Sequence, residues 1–80
     1  MRFPWQYTQI DGQWFTLEAY GHQEPAKPEG PLDVLVGDEW HMDSIRPDKN
    51  GKWMVYSNVS RKYWELQEGQ WAFYRPGPYD

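Results

Sequence analysis

Three stretches, DGQW at 11–14, NGKW at 50–53 and EGQW at 68–71, place a glycine after an acidic or amide residue and a tryptophan two positions further on. A glycine in this setting supplies the positive φ of a tight hairpin turn, and the aromatic strands on either side favour an extended, half-buried backbone. The chain therefore reads as three hairpins, Phe3 to Ala19, Trp40 to Asn58 and Arg61 to Arg75. PLDVLV adds a further strand, Leu32 to Val36, turned at Gly37. Six or seven short strands with closely spaced turns predict an all-β fold, either a small strongly curved antiparallel sheet or an SH3-like barrel. The run SRKYWELQE leaves one alternative open: a short helix near 60–68, capped by Ser60 and stopped by Gly69, which would make the fold α+β.

Register decides what each hairpin buries, because a slip of one residue exchanges the two faces. With a two-residue Asp11-Gly12 turn, Tyr7 faces Thr16 and Trp5 faces Glu18, mixing apolar with polar. With a three-residue Ile10-Asp11-Gly12 loop, Tyr7 meets Phe15, Trp5 meets Leu17 and Phe3 meets Ala19, which yields one apolar face and is the register expected. Trp14 then lies on the reverse side. In the second hairpin a Lys49-Asn50-Gly51 loop pairs Ile45 with Val55 and Pro47 with Trp53. In the third, a Glu68-Gly69 turn sets Leu66 against Trp71 and Trp64 against Phe73. Between the first two hairpins, the segment from Gly21 to Pro31 is too rich in proline and glycine to hold a strand ladder, so a long mobile loop is expected at 21–31.

DGQWFTL followed by Tyr20-Gly21 resembles a single unit of the choline-binding repeats, in which a glycine turn leads into an aromatic strand. Units of that family stack at a regular period of about 20 residues. Here the turn glycines stand at 12, 51 and 69, and the Gly-Trp dipeptide that usually leads such a unit is missing. The recurrence is therefore read as shared hairpin chemistry, with tryptophan covering the end of a core.

Eighty residues are expected to form one domain with a small core, burying about 60% of the surface that the unfolded chain exposes. Six Trp, six Tyr and three Phe must supply most of that core. The absence of cysteine removes disulfide staples and thiolate chemistry, and points to a reducing compartment. The opening MRFPWQYTQIDGQ has no apolar signal-like run and nothing approaches a membrane span, so a cytoplasmic location is expected.

Twelve acidic against eight basic residues give a net charge of −4, which opposes phosphate-backbone binding. A basic groove could draw only on Arg46, Lys49, Lys52, Arg61, Lys62 and Arg75, so no direct nucleic-acid contact is expected. Glu39, His41 and Asp43 alternate along DEWHMD and share one face of a strand, the nearest approach to a metal site. A solvated polar face is the simpler reading, and no metal or cofactor is expected. Ser44, Ser57 and Ser60 stand in no nucleophile pattern, and the carboxylates Asp38, Glu39 and Asp43 have no evident depth in which to become acid–base groups, so no catalytic residue is assigned.

The aromatic surplus is more informative. Trp14, Tyr20, Met54, Tyr56, Tyr63 and Tyr74 fall on faces opposite the expected core, and these residue types are enriched at the centres of protein interfaces. With Glu18, Asp43 and Glu65 as an acidic rim they form the expected contact surface for another protein, one with a basic face. The functional expectation is a non-enzymatic binding protein, an intracellular inhibitor or accessory subunit that blocks a nucleic-acid-handling protein. The alternative is a carbohydrate-binding module in which sugars stack on aromatic rings beside Gln6, Gln9, Gln13 and Asn58.

Overall fold

The computed structural model describes residues 4–74. Their strands are β1 (Trp5–Ile10), β2 (Gln13–Glu18), β3 (Gln23–Pro25), β4 (Glu29–Val36), β5 (Glu39–Pro47), β6 (Trp53–Ser57), β7 (Tyr63–Glu65) and β8 (Trp71–Tyr74). All eight belong to one antiparallel sheet in the order β3-β2-β1-β8-β4-β5-β6-β7. The fold is all-β as expected, but the sheet is open and does not close into an SH3-like barrel. The run at 60–68 holds strand β7 and no helix. Among the described residues no helix is long and apolar enough to cross a membrane.

The first hairpin takes the register that the hydrophobic pattern disfavours. Asp11 and Gly12 both have positive φ, 51° and 82°, the signature of a two-residue type I′ turn whose twist matches that of the flanking strands. Trp5 consequently faces Glu18 and Tyr7 faces Thr16. Phe15 and Leu17 are thrown to the opposite face, and Trp14 comes to the core face beside Gln9. Turn chemistry overrides the cleaner apolar pairing. Phe3, expected opposite Ala19, lies outside the described residues.

In the second hairpin Ile45 faces Val55 and Pro47 faces Trp53, as expected. Asp48 organises its loop, with Oδ1 accepting the backbone N–H groups of Asn50 and Lys52 at 2.8 and 2.9 Å. The expected third hairpin does not form. β7 pairs with β6 at the sheet edge, whereas β8 inserts between β1 and β4 in the middle. Trp64 therefore faces Val55, and Phe73 faces Asp33. The expected end of that hairpin, Arg75, lies outside the described residues.

The segment 21–31 is not a free loop either. Gln23–Pro25 pairs with β2, the Ala26 N–H donates to the Trp14 carbonyl at 2.9 Å, and β4 has begun by Glu29. Proline is tolerated because Pro25 lies on the edge strand, where a missing N–H costs no ladder bond.

The core comprises Trp5, Tyr7, Leu32, Val34, Ile45, Val55, Leu66 and Ala72. The ladders put its seven strand residues on one face, so the sheet curls around them. The residues between β7 and β8 act as a strap over this side. The Leu66 N–H donates to the Trp53 carbonyl on β6 at 3.1 Å, and the Gly69 N–H donates to the Tyr7 carbonyl on β1 at 2.8 Å. Three residues of extended chain reach only about 10 Å, so β6 and β1, four positions apart in the sheet order, are drawn close together. Tyr7 N–H completes the strap by donating to the Gln70 carbonyl at 2.9 Å. Leu66 is buried beneath it.

Candidate functional site

Alternation along the strands produces a second, outward face that is unusually apolar. Crossing the sheet on that face, Leu17 on β2 lies opposite Gln6 on β1, and Gln6 lies opposite Trp71 on β8. Phe73, two residues along the same strand, faces Asp33 on β4, and Asp33 faces Met42 on β5. Leu35 on β4 faces Trp40 on β5. Trp40 meets the edge of Phe73 with ring centroids 4.9 Å apart, the tilted geometry that aromatic quadrupoles favour. Trp40, Trp71 and Leu17 remain 47%, 40% and 38% exposed, so this row is a surface.

The row continues along β5 into a second cluster. Ser44 and Arg46 face Tyr56 and Met54 on β6, which in turn face Tyr63 and Glu65 on β7. The Arg46 guanidinium sits 4.6 Å from the centre of the Tyr56 ring, a cation–π contact. Tyr56 and Tyr63 lie 6.0 Å apart. Of the expected contact residues, Met54, Tyr56, Tyr63 and Glu65 are thus brought together on one outward face.

The other five are placed elsewhere. Trp14 packs against the core. Tyr20 is 83% exposed in the turn after β2. Tyr74 and Glu18 lie on the core side of the sheet, at its rim. Tyr74 faces Leu32, with its ring 4.8 Å from Trp5, and Glu18 faces Trp5. Glu18, Glu24 and Glu29 line one small pocket with Tyr74, whose hydroxyl donates to Glu29 Oε1 at 3.2 Å. Burial, reinforced by these carboxylates, pushes the Tyr74 phenol above its ordinary value.

Asp43 is fully buried and so cannot belong to an acidic rim. It does share a face with Glu39 and His41, but that face turns to the core at Asp43, which lies opposite Leu32 and Ser57, while Glu39 at its other end stays exposed. Among the described residues no group of three His, Asp or Glu side chains could hold a metal, and His41 pairs instead with Glu39 at 3.4 Å. Burial raises the Asp43 carboxyl above its ordinary 3.8, while Ser57 and His41 pull the other way. A raised folded-state value means that ionisation opposes folding. The stabilising contribution of the neutral acid is complete below pH 3.8 and is lost as pH rises through the raised value. Asp43→Asn, which cannot ionise, should therefore gain in melting temperature relative to wild type as pH rises toward 7. The gap should close toward pH 3 in thermal melts followed by circular dichroism. A constant gap across pH would show that Asp43 is not the titrating group.

The outward row at Leu17, Leu35, Trp40, Met42, Trp71 and Phe73 escaped the sequence reading because Leu17, Trp71 and Phe73 were paired into core faces. The signal that identifies it is the two-residue Asp-Gly turn, which turns Leu17 and Phe15 outward. Comparison of the chain with protein-family models, with curated proteins and with solved structures finds no match.

Proposed function

We propose that this protein works by binding another protein through the outward face of its sheet. The observation that carries the reading is the row of Leu17, Trp71 and Trp40, left exposed on the side opposite the core with half-buried Phe73 between the two tryptophans. A sheet that already buries one face needs no second apolar face for stability, and contiguous exposed apolar surface marks contact sites. Tryptophan and tyrosine contribute most at the centres of protein interfaces, where methionine is also enriched. Asp38, in the exposed turn two residues before Trp40, and Glu65, opposite Met54, are acidic residues near this face. They suit a partner with a basic rim around an apolar centre, which is the chemistry expected of an inhibitor or accessory subunit of a nucleic-acid-handling protein.

The test is kinetic. A partner captured with wild-type protein should bind Trp40→Ala and Trp71→Ala at least about 2 kcal/mol more weakly, while circular dichroism and melting temperature remain close to wild type. Asp38→Lys should mainly slow association and reduce its salt sensitivity. Unchanged affinity in both tryptophan variants would remove the outward face from the interaction.

A further inference from the structure

Three turns and links meet at one end of the curled sheet: the β1–β2 turn at Gly12, the β5–β6 turn at Gly51 and the strap at 65–68. They enclose a cleft of about 390 Å³ on the core side, within the roughly 300–1,000 Å³ typical of small-molecule sites. Trp14 and Trp53, both half-buried, supply its aromatic walls, and Gln9, Lys52, Glu65 and Gln67 supply polar groups. We infer that this cleft is a binding site for a neutral saccharide, on the opposite side of the sheet from the outward tryptophans and meeting the outward face only at Glu65 on its edge.

Charge and geometry select that ligand class. Lys52 Nζ pairs with Glu65 Oε2 at 3.4 Å, and both Glu68 carboxylate oxygens accept the Gln9 backbone N–H, at 3.0 and 3.3 Å. The one cation among the described residues lining the cleft is thus paired and Glu68 is held by hydrogen bonds, which disfavours an anionic ligand. What remains is amide donors and acceptors beside two indoles. Sugar rings match this pairing: their C–H faces lie against aromatic carbon while their hydroxyls exchange hydrogen bonds with amides and carboxylates. The Gln67 amide donates to the Glu65 carbonyl at 3.1 Å, which orders the strap at the cleft's edge, so the site is largely formed before ligand arrives. Trp14 and Gln9 face each other across β1–β2, placing one stacking surface and one amide side by side.

Tryptophan emission should be titrated with cellohexaose, xylohexaose, maltohexaose and chitohexaose, each to about 10 mM, which covers dissociation constants up to the millimolar range. At least one should give a saturating shift. Trp53→Ala should weaken that response at least tenfold, and Gln9→Ala with Gln67→Ala should weaken it several-fold with the fold intact by circular dichroism. Trp40→Ala and Trp71→Ala, on the other face, should leave saccharide affinity at wild-type level, which separates this site from the protein-contact surface. Flat titrations with all four sugars would overturn the assignment, as would full affinity in the Gln9/Gln67 double variant. That double variant decides the matter if Trp53→Ala does not fold.

Discussion

Tyr7→Ala should unfold most of the protein at 37 °C, whereas Phe15→Ala should leave it folded. Tyr7 is fully buried at the centre of the core, and removing a ring from such a site costs roughly 3–5 kcal/mol through lost burial and the cavity left behind. A domain this small holds only about 5–15 kcal/mol in total, and commonly sits toward the lower end. Phe15 lies opposite Thr8 on the outward face and is only half-buried, so its removal should cost about 1 kcal/mol. Urea denaturation of the two variants provides the comparison. Equal losses, or a larger loss for Phe15, would mean that hairpin one adopts the three-residue loop and that Phe15 and Leu17 form its core.

Leu66→Ala should be nearly as damaging, by about 2–5 kcal/mol, and for a second reason besides its buried volume. Leu66 anchors the strap that joins β6 to β1 through the Leu66–Trp53 and Gly69–Tyr7 hydrogen bonds. Loss of the anchor should free those amides before the rest of the sheet opens. Hydrogen exchange should therefore show the Leu66 and Gly69 amides losing protection ahead of the Ile45 and Val55 amides. Unchanged midpoint and unchanged protection would show that the sheet holds its curvature without the strap.

Several features were legible in the chain because they depend on near neighbours. Gly12, Gly51 and Gly69 all take positive φ, as the dipeptides around them require. The second hairpin's register was readable because Ile45 and Val55 have only one good apolar partner within reach. The strand Leu32–Val36 announced itself by a buried apolar run ending at Gly37.

Other features depended on what arrives from far along the chain. β8 pairs with β1 and β4 rather than with β7, and no local signal at Glu68-Gly69 distinguishes a hairpin from a strap that crosses the core. The partners of a strand are chosen by the whole sheet. For the same reason one apolar face per hairpin would put Leu17, Trp71 and Phe73 in the interior, whereas the folded sheet uses one face for its core and turns these three to the other. Asp43 shows the limit most plainly. Its place in an alternating polar run, DEWHMD, was visible in the sequence and correctly put it on one face with Glu39 and His41. That the Asp43 end of this face is buried and the Glu39 end exposed was decided only by the curl of the folded sheet.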